Sequence, residues 1–272
     1  MIRKLLIAVC TILILFICLV YIGNRYVNDQ TIPIIELATA KDRVLFVFAH
    51  PDDEITVAGT LAALNANDVA TGLVYLTHGE KGPTGGLVSQ HQLGVERARE
   101  AHTVKTILGI DYLKIMDFPD SNIKGVEPDS IKQSLLKCFN EFKPTIAIGF
   151  DKTVGLYGHE DHRLAGLYVH QILRQLNYVQ QYYMVTLPDP LINLALKISD
   201  AFKNNYPKEK GQGLPLANVA VNIWKFGPAK RKVLEAHKTQ WQVINDVQPF
   251  GMAVNPYLYY KIFDREYYHR VF

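Results

Sequence analysis

Residues 5–22 read LLIAVCTILILFICLVYI, a run of apolar side chains without a single charge. At about 1.5 Å of rise per residue, such a run covers about 27 Å, close to the hydrocarbon thickness of a bilayer. The run predicts one membrane-spanning helix. A cleaved leader is the rival reading, but bulky Val20, Tyr21 and Ile22 stand where small residues would mark a cleavage site. Residues 1–27 are therefore read as an uncleaved anchor, 28–42, with Pro33, as a tether, and 43–272 as the body.

The pattern then changes period. Residues 44–49 form a continuous β-branched and aromatic run, the mark of a strand buried on both faces. Helical spacing over 54–65 follows, then a second strand over 69–76. An amphipathic helix over 90–108 is stopped by Gly109. Further on come a strand at 112–116, a helix from Pro128 to about 142, a buried strand at 145–149 and a helix at 161–176. Later segments predict a helix at 191–203, a strand at 219–223, a helix at 228–242 and a strand with a short cap within 257–272. Alternation of this kind predicts an α/β fold, a Rossmann-like three-layer α/β/α body with a mostly parallel sheet. Ligands in such sheets collect beyond the C-terminal strand ends, where strand order reverses.

Charge and cysteines narrow the partners. Arg3, Lys4 and Arg25, all flanking the apolar run, account for the whole net charge of +3. The body is neutral and offers no electrostatic footprint for nucleic acid. The positive-inside bias puts the N-terminus in the cytoplasm and the body outside. Cys10 and Cys18 lie in the apolar run, which leaves Cys138 without a disulfide partner in the body.

Candidate chemistry sits where the sheet rule puts it. After the first strand comes His50-Pro51-Asp52-Asp53-Glu54, and after the 145–149 strand comes His159-Glu160-Asp161-His162. Hydrolytic zinc takes three ligands from His and Asp/Glu and keeps a place for water. His50, Asp53 and His162 supply that triad. Asp52 then stands beside the metal as a general base, and His159, protonated, faces a developing oxyanion. Asp161 steadies an imidazole from behind. Asp120, at a strand end, is a candidate for substrate hydroxyls, which the family resemblance of these motifs makes those of a sugar. The glycine-rich segment 79–86, with Glu80, is a candidate rim, and His237 and Gln240, one helical turn apart, are candidates to close the pocket. Arg97 is expected to pair with a carboxylate on its helix surface.

The two motifs, with Thr77-His78-Gly79-Glu80-Lys81-Gly82, Phe118-Pro119-Asp120 and His237-Lys238-Thr239-Gln240, resemble the PIG-L/LmbE-type zinc de-N-acetylases from about Val44 to the C-terminus. The resemblance implies the same roles for His50, Asp53, His162, Asp52 and His159. It also implies a Rossmann-like fold without a nucleotide and cleavage of the acetamide of N-acetylglucosamine joined to inositol, phosphatidylinositol or malate. Zn2+ is the expected cofactor, with Fe2+ as the alternative. The expected partners are a GlcNAc-containing small molecule or glycolipid and, through the N-terminal helix, a membrane. Two other functions fit the sequence: a zinc amidase for another amide, and a membrane-tethered glycan receptor without catalysis.

Overall fold

A computed structural model of the chain describes residues 2–209 and 211–272. Seven strands form one sheet: β1 (Arg43–Phe48), β2 (Ala70–Thr77), β3 (Tyr112–Phe118), β4 (Ile146–Phe150), β5 (Gln181–Thr186), β6 (Val219–Asn222) and β7 (Arg265–Arg270). Their order is β3-β2-β1-β4-β5-β7-β6. The first five are parallel, whereas β7 runs antiparallel to both β5 and β6. Helices α1 (Ile2–Val27), α2 (Ala58–Ala66), α3 (Leu93–Leu108), α4 (Pro128–Phe142) and the single turn α5 (Gly155–Gly158) come before α6 (Glu160–Leu173). They are followed by α7 (Asp189–Ile198), α8 (Asp200–Asn205), α9 (Gly227–Ala236), α10 (Trp241–Val247) and α11 (Pro256–Ile262).

The alternation in β1 shows why both faces need cover. Val44, Phe46 and Phe48 enter one apolar cluster, together with residues of α2, α3 and α9, while Leu45, Val47 and Ala49 enter the other, beneath α4 and α6. A strand buried on both sides has no polar positions to spare. The chain runs outward from β1 through β2 to β3, then returns to lay β4 on the other side of β1. The strand order therefore reverses between β1 and β4. That switch point lies between the two sequence motifs.

Three expectations need correction. The segment 28–42 is no loose tether: Ile34 bridges to Ala220, with Ile35 N–H donating to the Ala220 carbonyl and Ala220 N–H to that of Pro33 (2.8 and 2.9 Å), so the segment covers the outer edge of β6. The helix expected over 191–203 breaks at Ser199, which caps α8 through the Phe202 amide. The helix expected over 228–242 ends at Ala236, because the chain turns inward at His237. α1 is long and apolar enough to cross a membrane; its side chains are exposed over residues 9–19, whereas Val27 at its end is buried.

Candidate active site

Beyond β1 the chain turns at Asp52, whose φ of 124° is a conformation that L-residues rarely adopt. The turn points Asp53 back at the strand end. Its Oδ2 accepts the amides of Ala49 and His50 (3.0 and 2.8 Å), while its Oδ1 stands 3.0 Å from His162 Nε2. His50 Nδ1 lies 3.7 Å from the same carboxylate. Burial opposes ionisation of Asp53, yet the His162 and His50 charges and these bonds hold it well below the usual carboxylate range.

Beyond β4, buried Asp151 organises the loop by accepting the amides of Val154, Gly155 and Leu156 (2.7, 2.9 and 3.2 Å). Gly155 has φ 65°, and a Cβ there would stand 2.4 Å from the Arg163 amide nitrogen. Only glycine lets this loop pass against the first turn of α6. That turn carries Asp161 and His162, with His159 at its N-cap. The His162 ring stacks on Phe150 at 4.3 Å, and its Nδ1 is buried without a hydrogen-bond partner.

The far nitrogen of His50 faces two acids. Asp120 Oδ1 stands 3.0 Å and Asp161 Oδ2 3.5 Å from His50 Nε2. Both acids are fixed from behind, Asp120 by the Lys81 amide (2.7 Å) and Asp161 by the Ser121 amide (2.7 Å). Burial disfavours a charged His50, but Asp120, Asp161 and Asp53 outweigh it and push the imidazole up to about 10. The cluster thus holds more negative charge than its own side chains neutralise, and a proton occupies a place suited to a cation. One nitrogen from each of His50, His159 and His162 also falls within 4.8 Å of the others. Imidazole and carboxylate donors, with a carboxylate behind an imidazole, fit a divalent ion such as zinc or iron.

Asp52 borders the same space. Its Oδ1 pairs with Arg97 Nη2 at 2.7 Å, and Arg97 also donates to the carbonyls of Gly79 (2.9 Å) and Pro51. Burial pushes the Asp52 carboxyl up to about 6 against the pull of Arg97. It is a carboxylate at neutral pH and still basic enough to accept a proton. The expectation that Arg97 lies on a helix surface is corrected, since it is 3% exposed. A Cβ at Gly79 would stand 2.3 Å from this guanidinium, so the rim loop is moulded around it.

His159 is half-buried, its ring centroid 5.1 Å from that of His50 and 4.5 Å from that of His162. Burial, then the charges of His162 and His50, lower it to about 4. The expectation of a protonated His159 is therefore corrected to a neutral imidazole with one N–H to donate.

Of the candidate substrate residues, Asp120 and Gln240 line the cavity of about 320 Å³ that opens over the site. Asp120 is committed to His50 and the Lys81 amide, and Gln240 Nε2 donates to the Pro83 carbonyl (2.7 Å), tying the rim down. The rim reaches the cavity through Lys81, Gly82 and Pro83. Glu80 does not line it, because its Oε1 turns inward to accept the Asp120 amide (2.9 Å). His237 is fully buried between Glu54 and Glu100 and faces away from the cavity, a second correction to the substrate residues. Glu54 also accepts the Tyr75 hydroxyl and the Asp52 amide (3.0 Å), so this closed network grips the strained turn from behind. Sequence reading missed Glu54, Glu100 and Asp151. Glu54 closes the first motif and Asp151 follows a strand end, whereas Glu100, in the middle of α3, gave no signal.

Fold and site together define an α/β domain with a mostly parallel sheet and a buried His/Asp group able to hold a metal. The profile described as PIG-L, GlcNAc-PI de-N-acetylase, matches residues 45–173, which contain both motifs. The chain is 30% identical over 204 residues to "Probable N-acetyl-alpha-D-glucosaminyl L-malate deacetylase 2" of Bacillus anthracis, covering 73% of this chain and 81% of that one. It is 26% identical over 245 residues to the 1D-myo-inositol 2-acetamido-2-deoxy-alpha-D-glucopyranoside deacetylase of Mycolicibacterium gilvum, with 78% and 85% covered. In structure it resembles N,N'-diacetylchitobiose deacetylase from Pyrococcus horikoshii, with a TM-score of 0.60 at 21% identity over 85% of this chain and 84% of that one. The chain belongs to the PIG-L family.

Proposed function

We propose that the chain is a metal-dependent hydrolase that removes the N-acetyl group from an N-acetylglucosamine conjugate, with His50, Asp53 and His162 holding Zn2+ or, as the alternative, Fe2+. The observation that carries this reading is the meeting of Asp53 with both imidazoles, 3.7 Å from His50 Nδ1 and 3.0 Å from His162 Nε2, beside an Asp52 that is tied to Arg97 and not to the cluster. The relatives' names support the acetamide of a GlcNAc conjugate as the scissile group.

Held by His50, Asp53 and His162, a divalent ion would supply Lewis acidity to the acetamide carbonyl and to a water molecule. Asp52, its carboxylate aimed by Arg97 and by the Glu54 grip on its backbone, takes the proton of the attacking water and returns it to the departing amine. His159 donates its N–H to the oxygen of the tetrahedral intermediate. Asp120 and Asp161 keep the His50 ring turned so that Nδ1 faces Asp53. Away from the ion, Leu191 and Leu194 of α7 and Tyr259 and Phe263 line an apolar limb of the cavity. That limb suits the apolar face of an aglycone, whether a small glycoconjugate or a glycolipid.

The single-pass anchor, uncleaved and with the body on the extracytoplasmic side, belongs to the same reading. It is supported by an apolar α1 whose side chains are exposed over residues 9–19 and by the positive charges at its N-terminal flank.

The test is release of free amine from GlcNAc conjugates and longer N-acyl glucosaminides, with zinc, with iron and with chelator. Metal-dependent amine from the N-acetyl sugars is expected. Amine only from other amides moves the reading to a different amidase, and sugar binding that ignores chelator moves it to a receptor. His159→Ala is expected to keep its metal and lose about 100- to 1,000-fold in rate.

A further inference from the structure

The last two turns of α1 are built into the body. Asn24 Nδ2 donates to the carbonyls of Lys261 and Ile262 (3.1 Å each), and Asn28 Nδ2 donates to that of Ile262 (2.7 Å). These are C-terminal carbonyls of α11, which have no partner within their own helix. Asn28 is 2% exposed and accepts the Tyr267 hydroxyl at 3.0 Å. A Cβ on Gly23 would stand 3.5 Å from Ile262, so the two helices touch directly. Two amides aimed at one helix end fix the axis of α1 against the body.

That fixed axis sets a depth. The apolar run ends at Ile22, and Asn24 lies two residues on, about 3 Å further along the helix. The headgroup layer on each side of the hydrocarbon is about 5–7 Å thick. Once residues 5–22 fill the hydrocarbon, Lys261 lies within that layer. Its Nζ sits over the Trp224 ring at 4.1 Å, Lys225 Nζ is 5.9 Å from the same ring, and Tyr257 is exposed on α11. On the anchor itself the Arg25 guanidinium lies 5.8 Å from the Tyr21 ring. Among the described residues, Arg25, Lys225 and Lys261 make no ion pair, while the neighbouring acids are engaged, Asp264 with Arg265 and Asp29 with Thr31. Aromatic rings beside unpaired basic groups are what an anionic membrane surface attracts.

We propose that α11 and the turn at Trp224 form a second membrane contact, in which Trp224, Lys225, Tyr257 and Lys261 seat among anionic lipid headgroups and hold the body in one orientation. The proposal rests on the reading of α1 as a membrane span. α7 and α11 both touch α1 and both border the apolar limb of the cavity, so the seated orientation turns that limb towards the bilayer.

The test uses the full chain with Trp241→Phe, which leaves Trp224 as its sole tryptophan. It is reconstituted into vesicles of phosphatidylcholine and phosphatidylglycerol that carry a spin label on the headgroup. Loss of most of the Trp224 emission is expected, and Lys225→Glu with Lys261→Glu should restore much of it. Unquenched emission from protein that floats with the vesicles and resists alkaline extraction overturns the seating while leaving the anchor intact. Protein that does not float overturns the span, and the seating with it. Deacetylation by detergent-solubilised protein reports separately on the hydrolase reading.

Discussion

Two buried histidines, each among carboxylates, flank the same turn and do opposite things. His50 faces Asp53, Asp120 and Asp161, while His237 faces Glu54 and Glu100. For both, burial works against the charged form and the acids overcome it, raising the imidazole to about 10. Around His237 both acids are engaged elsewhere as well, Glu100 with the Thr239 amide and hydroxyl (2.8 and 2.7 Å) and Glu54 with the Tyr75 hydroxyl. Around His50 a second and a third imidazole approach, and the cavity opens above. Histidine among acids is thus not in itself a metal site. Convergence of several lone pairs on one accessible point makes the difference.

The sharpest way to break this contrast is to remove one imidazole from each cluster. His162→Ala is expected to abolish both stoichiometric metal and activity. His237→Ala should keep its metal, measured by elemental analysis, and lose about 3–5 kcal/mol of stability in denaturant melts because buried carboxylates are left unpaired. Metal loss in both variants would erase the distinction. Next in size, Asp52→Asn should retain metal while its turnover falls about 100- to 10,000-fold, the usual worth of a positioned base. Asp120→Asn should weaken metal affinity by about 10- to 100-fold, as expected when the carboxylate behind a ligand imidazole is lost. An unchanged affinity in a competition titration with a chelator would separate Asp120 from the metal. The smallest effect concerns pH. In the proposed role Asp52 acts as a carboxylate, raised by burial to about 6 and held down by Arg97, so activity should fall as pH drops through a limb no higher than about 6. Removing the cation in Arg97→Met favours the protonated acid and should move that limb upward. A downward shift in the rate profile would contradict the pairing.

The sheet and the five motif residues were legible in the sequence for one reason. Buried parallel strands are continuous apolar runs, and His50, Asp52, Asp53, His159 and His162 follow two of them directly. Less legible were charged residues that helical periodicity assigns to a surface. Arg97 and Glu100 sit on α3 and look like solvent-facing positions, yet both point inward because acids and a turn from other segments meet them there. Asp120 read as a sugar contact because its partner, His50, lies far away in sequence and joins it only when β1 and β3 take their places in the sheet. The inward turn at His237 breaks a helix that spacing alone would have continued. Segment 28–42 looked like a linker because the β6 edge it covers is formed by residues nearly two hundred positions later.

The covered edge limits how this protein can be taken apart. A soluble version trimmed at residue 43 would lose Asn28 from Tyr267 and bare the unpaired backbone of β6, an invitation to strand-to-strand aggregation. Trimming before Asn24 would retain both. The apolar helix and the globular part therefore share a seam, and swapping α1 for another apolar helix at the end of the run would sever it unless the two asparagines travel with the body.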